Sequence, residues 1–297
     1  MTVTPPYSGQ AGGPTALRML LGAHLRRLRE AQGVTREAAG WEIRASESKI
    51  SRMELGKVSF KERDIADLLS LYGVDDDEER EGLLELARHA NTPGWWHREG
   101  DILPSWFQSY LGMEAAASLI RTYEIQFVPG LLQTADYARA VIMLGHGTAP
   151  RREIDRRVDL RMKRQEVLTR KNPPTLWVVV DEAALRRPIG GPSVMAGQIT
   201  ALIEATKMPN VRLQVLPFAS GGHAAAGGSF SILRFPEADL ADVVYVEQLT
   251  SALYLDKRED VEHYAATMEL VCIQAEPPAR TPEILEEILR DFEELED

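Results

Sequence analysis

Apolar residues that recur three and four positions apart predict a run of short amphipathic helices in the first third of the chain. In the first of these, Arg18–Gln32, Leu21 and Leu25 share one face and most of the arginines lie outside it. The same spacing predicts two further helices, Lys61–Tyr72 and Glu78–Ala90, each bounded by residues that end or cap helices. This part of the chain is therefore expected to be a helical bundle.

Between the first two of these helices, the pattern is that of two short helices joined by a tight turn. The hydroxyl groups of Thr35 and Ser46 can each accept a hydrogen bond from a backbone N–H group, so each residue is expected to cap one helix. The second helix is predicted over Glu47–Glu54, and Ile50 and Met53 share its inner face because they are three residues apart. Four polar or basic side chains remain outside that face: Ser48, Lys49, Ser51 and Arg52.

Beyond residue 104, helical and strand-like segments are interspersed. Six segments rich in β-branched and aromatic residues are predicted to be strands: Leu119–Phe127, Thr175–Val180, Val211–Leu216, Phe230–Phe235, Val243–Glu247 and Leu253–Leu255. Six others are predicted to be helices: Ser105–Leu119, Gln133–Leu144, Arg151–Lys171, Pro192–Lys207, Asp256–Gln274 and a last helix capped by Thr281. The alternation within Val211–Leu216 predicts one solvated face for that strand. We expect an α/β domain with a mixed or antiparallel sheet.

Charge is distributed unevenly along the 297 residues. The net charge is −11, but residues 18–63 contain eleven Lys and Arg against six Glu, so this segment carries +5 and the remainder −16. Phosphate binding depends on the local patch, so an acidic remainder does not exclude DNA. The single cysteine, Cys272, rules out an internal disulfide and fits a cytoplasmic protein. We expect no signal peptide and no membrane span.

The helical part resembles the helix-turn-helix domain of the lambda-repressor or Xre class. The resemblance is carried by L-R-R-L-R-E-A-Q-G-V-T, S-E-S-K-I-S-R-M-E-L-G and I-A-D-L-L-S-L-Y-G-V. It implies a homodimer that binds a double-stranded DNA operator. By position it implies recognition by four residues of the second short helix and its cap: Ser46, Ser48, Lys49 and Arg52. Arg26 and Arg36 are expected to contact backbone phosphates.

Two departures from the pattern of that class concern the turn and the first short helix. Arg44 stands where glycine is usual, at a position that favours a positive φ. Ala39 and Gly40 replace larger residues, and Trp41 and Ile43 are expected to refill the gap.

The remainder resembles an actinobacterial regulatory domain described as WhiJ-like or Scr-type and antitoxin-like. The resemblance is carried by W-W-H-R-E-G-D-I-L-P-S-W-F-Q-S-Y-L-G-M-E and V-L-P-F-A-S-G-G-H-A-A-A-G-G-S-F-S-I-L-R-F. It implies a domain that binds a small partner protein encoded nearby. We expect a disordered tail over residues 1–16, a helix-turn-helix domain over 17–90 and an α/β regulatory domain over 91–297. Five apolar or aromatic residues in loop-like positions are candidates for the partner surface: Trp95, Trp96, Val128, Pro129 and Leu131. The alternative, which the sequence favours equally, is that they form an ordinary core seam between the two domains.

No catalytic, metal or cofactor site is predicted. The glycine-rich loop Ser220–Gly228 lacks the features of a phosphate-binding loop, and the histidines show no metal-ligand spacing. The basic segment Arg151–Lys171 is either a second nucleic-acid surface or a solvated helix with internal ion pairs, and the second interpretation is favoured. Two alternatives to partner binding stay open: a small-molecule sensor with an apolar pocket, and an enzyme fused to a DNA-binding domain.

Overall fold

The computed structural model describes residues 14–237 and 240–295. These form two compact units, which we call the helical unit (residues up to Ala117, with 235–241) and the sheet unit (118–234 and from 242). Residues 1–13 of the predicted tail lie outside the described residues. The last three residues of that tail, 14–16, are helical, because the first helix begins at Pro14 and not at Arg18.

The helical unit contains six α-helices among its described residues: α1 (Pro14–Ala31), α2 (Arg36–Glu42), α3 (Glu47–Glu54), α4 (Glu62–Leu71), α5 (Asp77–Ala90) and α6 (Ser105–Ala116). A short 3-10 helix, Trp95–Glu99, precedes α6. The core contains the inward residues of every helix from α1 to α5, including Leu25, Ile50 and Leu69. The predicted helical bundle is therefore confirmed, and the compact unit continues past residue 90 through α6.

The sheet unit is built on six strands in the order β3-β2-β1-β4-β5-β6. These are β1 (Leu119–Glu124), β2 (Thr175–Asp181), β3 (Val211–Leu216), β4 (Phe230–Arg234), β5 (Val243–Glu247) and β6 (Ala252–Leu255). The pairs β1–β2 and β2–β3 are parallel, and the other three pairs are antiparallel. The predicted α/β domain with a mixed sheet is confirmed.

Helices cover the sheet and supply the rest of its core. They are α7 (Ala135–His146), α8 (Arg151–Arg164), α9 (Glu182–Arg186), α10 (Pro192–Ala205), α11 (Arg258–Gln274) and α12 (Thr281–Glu293). On one face Tyr123, Val179 and Val244 pack in a buried cluster with Met268 and Val271 of α11. None of the helices in the described part of the chain combines the length and the apolar character needed to cross a bilayer.

Several local predictions for the sheet unit were wrong. The strand β1 ends at Glu124 rather than Phe127, and the basic helix α8 ends at Arg164 and is followed by a 3-10 turn. Gln214 on β3 is buried because its amide donates to the carbonyl groups of Cys272 and Glu276, so that strand has no fully solvated face.

Two further differences concern the helices of the sheet unit. Thr281 does not cap α12 with its side chain but is a buried residue of that helix, and its hydroxyl donates to the carbonyl oxygen of Leu213 at 2.6 Å. The short helix α9 was not predicted.

Candidate nucleic-acid interface

The turn between α2 and α3 has the geometry that the sequence predicts. The hydroxyl of Thr35 accepts from the N–H of Ala38 at 3.1 Å, and the hydroxyl of Ser46 accepts from the N–H of Lys49 at 3.2 Å. Both residues therefore cap their helices. Arg44 has a φ of 54°, the left-handed conformation expected at this position.

Close backbone packing holds α3 against its neighbours. A Cβ atom on Gly40 would lie 2.7 Å from the carbonyl oxygen of Ala45, so α2 approaches the turn too closely for a larger residue. A Cβ atom on Gly22 of α1 would lie 2.5 Å from the carbonyl oxygens of Met53 and Glu54. Glycine at these two positions thus allows α2 to approach the turn and α1 to approach the end of α3.

A buried carboxylate, Glu54, fixes the C-terminal end of α3. Its side chain is 2% exposed and accepts from Arg29 Nε at 2.5 Å and from Arg36 Nε at 3.0 Å. The hydrogen bond from Arg29 to Glu54 raises the pKa of Arg29, so the guanidinium of Arg29 stays charged. Arg36, a predicted phosphate contact, is thus anchored to α3, and 36% of its side chain remains exposed.

A second ion pair fixes the middle of α3. The ammonium group of Lys49 lies 2.6 Å from Asp64 Oδ2 on α4. The Asp64 side chain is 3% exposed and that of Lys49 is 30% exposed. This contact gives Lys49 a role in holding α3 against α4 that the sequence did not predict. Its role in DNA recognition stays a prediction.

The outer side of α3 is polar and accessible. Ser46, Ser48 and Arg52 are all exposed, and Arg52 Nε donates to the carbonyl oxygen of Ser48 at 3.3 Å. Arg44, at the turn, is also exposed. Among the residues that the structure describes, Arg44 and Arg52 form no ion pair. Arg44 is a further candidate contact, and its exposed position at the turn is the signal that sequence reasoning had not used.

Arg26, a predicted phosphate contact, is exposed on α1 and pairs with Glu30 at 2.9 Å. To contact a phosphate it must first exchange this solvated ion pair.

The two residues expected to fill the space beside Ala39 and Gly40 behave differently. Ile43 is buried, as predicted, but Trp41 is 79% exposed. The expectation that Trp41 refills the space beside Gly40 was wrong, because the carbonyl of Ala45 already occupies it.

The five candidates for a partner surface do not form an exposed cluster. Trp96 in the helical unit is buried, and so are Val128, Pro129 and Leu131 in the sheet unit. Trp95 is half-buried and contacts the Trp96 ring edge-on. The premise of exposure was therefore wrong for four of the five.

The basic helix α8 forms ion pairs on its surface. Arg157 pairs with Glu153 one turn away, and Asp155 pairs with Arg139 of α7 at 2.7 Å. Arg161 donates to the side chain of Gln133 at 2.7 Å, and burial lowers the pKa of Arg161 to about 10. These contacts support the interpretation of α8 as a structural helix with internal ion pairs.

A polar cluster lies at the carboxyl ends of β1 and β2. The hydroxyl of Tyr123 lies 3.1 Å from His223 Nε2 and 3.4 Å from Asp181 Oδ2, and burial raises its pKa. Burial raises the pKa of the neighbouring Glu124 to about 7. No group of three or more His, Cys, Asp or Glu side chains in the described ranges could hold a metal ion.

Two family models match the chain. A helix-turn-helix domain model matches residues 20–83, and a model for a domain of unknown function, DUF5753, matches residues 107–287. No curated protein and no solved structure matches it. The first match covers the segment that contains α2, α3 and their buried ion pairs, and the second begins within α6 and extends into α12.

Proposed function

Since the chain belongs to the DUF5753 family and carries a helix-turn-helix domain before that region, which indicates a DNA-binding regulator, we propose a more specific function for it. It is a sequence-specific, Xre-type transcriptional regulator that acts in the cytoplasm, and its sheet unit binds a small partner protein that modulates DNA binding. The resemblance to actinobacterial WhiJ-like regulators supports the antitoxin-like role.

The DNA-binding part of the proposal rests on one observation: the inner side of α3 is buried in the protein, whereas its outer side is polar and exposed. Its inner side is fixed by Ile50, Met53 and the ion-paired Glu54, all of them buried. Its outer side presents short hydroxyls and a guanidinium group, which suit phosphate and base edges in a major groove. We therefore assign base recognition to Arg52, Ser46 and Ser48, and phosphate contacts to Arg26 and Arg36.

Fluorescence anisotropy with an operator selected from random duplexes tests this assignment. Arg52→Ala is expected to weaken specific binding by about 1–3 kcal/mol, the usual contribution of one good base contact. The matched control is Arg258→Ala on α11, which removes an exposed, ion-paired arginine from the sheet unit. Equal operator affinity of the two variants would contradict the assignment, provided that both have wild-type circular dichroism.

The proposed operator complex contains a homodimer. Dimers of helix-turn-helix proteins usually bind half-sites about one DNA turn, ~34 Å, apart. Light scattering of the protein with a selected duplex is expected to give two chains per duplex, and footprinting is expected to give a two-fold symmetric site. One chain per duplex at saturation would exclude the dimer.

A groove on the sheet unit supports the partner-binding part of the proposal. It has a volume of about 430 Å³ and is lined by Met143, Ile154 and several basic groups, including Arg139 and Arg151. Met143 and its neighbour Leu144 are both more than half exposed. We propose that a small protein inserts an apolar side chain here and places an acidic group beside Arg151.

The partner is sought by affinity capture from native cells, followed by mass spectrometry of bound proteins and small molecules. A small protein that binds the wild type but not Met143→Glu is expected, and its addition is expected to change operator affinity. Recovery of the same protein by both forms, or an unchanged operator affinity, would refute this part of the proposal.

A small-molecule sensor is the second candidate function, and the polar cluster at the carboxyl ends of β1 and β2 favours it. In α/β sheets, ligands bind outside the carboxyl ends of the strands where the strand order reverses, and here that point lies beside β1. Native mass spectrometry of the purified protein separates the two functions: a bound metabolite without a protein partner supports the sensor.

A further inference from the structure

A cavity of about 110 Å³ lies within the helical unit, apart from the outer side of α3. Its wall is formed by α1, by the residues that follow α3, by the 3-10 helix and by one side of α6. Three of its lining residues are basic: Arg18, Lys57 and His97. None of the lining residues is acidic, so the lining itself places no negative charge in the cavity.

Arg18 is the most unusual of these residues. Its Nε–H group is fully buried and has no hydrogen-bond partner among the described residues, although one terminal nitrogen donates to the hydroxyl of Thr15 at 3.1 Å. Burial without a compensating carboxylate lowers the pKa of Arg18. A partly buried guanidinium with an unused donor is costly, and an anion placed beside it would satisfy both the donor and the charge.

The neutral residues of the wall also suit an anion. Ser105, Gln108 and Ser109 lie along the first two turns of α6, and each carries a side-chain donor. The first turns of α1 and α6 contain no acidic residue, so nothing on them opposes negative charge near the positive ends of these helices.

Tight packing gives the cavity defined limits. A Cβ atom on Gly112 of α6 would lie 1.9 Å from the hydroxyl oxygen of Thr15, and one on Gly56 would lie 2.6 Å from the backbone nitrogen of Met19. The volume is several times the roughly 30 Å³ share of one water molecule. It is well below the ~300–1,000 Å³ of pockets that enclose drug-sized ligands.

We propose that this cavity is a binding site for a single phosphate group, held by the Arg18 guanidinium with help from Lys57 and the hydroxyls of α6. Gly56 and Lys57 directly follow Leu55, the residue that ends α3. The occupant therefore binds next to the end of the recognition helix. The regulator thus has an anion-binding site of its own in the DNA-reading unit, separate from the sheet unit.

Isothermal titration calorimetry of the full-length protein with inorganic phosphate tests the proposal, at constant ionic strength with chloride as the balancing anion. Wild type is expected to bind about one phosphate per chain. Arg18→Gln is expected to bind on the order of tenfold more weakly or worse, because a hydrogen bond to a charged group is lost. Arg63→Gln, which removes an exposed arginine of α4 outside the cavity, is the matched control.

Lys57→Gln is a second test variant, because Lys57 is exposed and its replacement leaves the buried core unchanged. It is expected to weaken phosphate binding even if Arg18→Gln does not fold. Absence of saturable binding to wild type, or equal binding by Lys57→Gln and the Arg63→Gln control, would overturn the proposal.

The source of the phosphate group is decided by repeating the titration with a saturating operator duplex. Loss of phosphate binding in the complex would identify the group as a DNA backbone phosphate. Retained binding would identify it as a free anion or small phosphate ester.

Discussion

Lys49 and Arg52 both lie on α3, but the structure predicts different effects for their removal. Arg52 is exposed, whereas Lys49 pairs with Asp64, a carboxylate that is almost completely buried on α4. Replacing Lys49 with methionine keeps most of its aliphatic stem and removes only the charge. We expect this variant to lose stability first, and to lose DNA binding to the extent that α3 moves.

The expected loss lies between two reference cases. Removing one partner of a fully buried ion pair costs about 3–5 kcal/mol, because a charge is left without compensation. Exposed pairs contribute only about 0.2–1 kcal/mol. Lys49 is partly exposed, and Arg63 Nη2 lies 3.8 Å from the other oxygen of Asp64 and compensates part of its charge. We therefore expect Lys49→Met to lower the free energy of unfolding by about 2 kcal/mol.

Urea unfolding followed by circular dichroism measures this loss, and a double-mutant cycle assigns it. Asp64→Asn removes the buried charge, so Lys49→Met is expected to cost much less in that background. A coupling energy of about 1–2 kcal/mol is expected between the two positions. Additive effects of the two substitutions, or a loss below ~0.5 kcal/mol for Lys49→Met alone, would refute the reasoning.

Three further predictions concern buried groups and close packing. Glu54→Gln should lower the free energy of unfolding by about 3 kcal/mol in urea titrations, since it leaves Arg29 buried with a neutral partner, and a change below 1 kcal/mol would contradict this. Gly22→Ala should cost at least ~1 kcal/mol because its Cβ meets backbone oxygens, whereas Gly82→Ala, which meets nothing within 4 Å, should stabilise α5 by ~0.5–1 kcal/mol. The pKa of Glu124 is raised to about 7, so the folded protein keeps a proton that the unfolded chain releases near pH 4.5. The free energy of unfolding should therefore fall by up to about 3 kcal/mol as the pH rises from 4.5 to 7. Glu124→Gln should remove that part of the pH dependence in thermal unfolding, and identical profiles would exclude it.

The helical unit was largely predictable because its signals are local. Thr35, Ser46 and the apolar pair Ile50 and Met53 all act within one or two helical turns, so the bounds of α3 followed from the sequence. Glu54 was within reach of the same logic, since it follows Met53 on the inner side and a carboxylate there needs a basic partner.

The role of Lys49 was not predictable in this way. Its partner Asp64 lies fifteen residues away on a different helix, and only the packing of α3 against α4 brings them together. The prediction for Trp41 was wrong for a related reason, because the space that Trp41 was expected to fill is occupied by backbone atoms of Ala45.

The sheet unit shows the same limit of local reasoning. The strands follow from runs of β-branched residues, but the burial of Gln214 depends on the end of α11 and the burial of Thr281 on β3. The apolar residues at 128–131 looked like a surface cluster because they stand in a loop-like stretch. Their burial follows from the arrangement of the neighbouring helices, which a single sequence does not reveal.

The separation of the two sides of α3 bears on how such a protein can acquire a new target. Every contact that holds the helix in place uses residues on its inner side or at its flank, and Ser48 and Arg52 contribute no core packing. Exchanging these outer residues for others of similar helix propensity therefore changes the surface offered to DNA while leaving the scaffold intact. With the DNA recognition proposed for α3, descendants of one ancestral chain can diverge in the operators they recognise without first passing through an unstable intermediate.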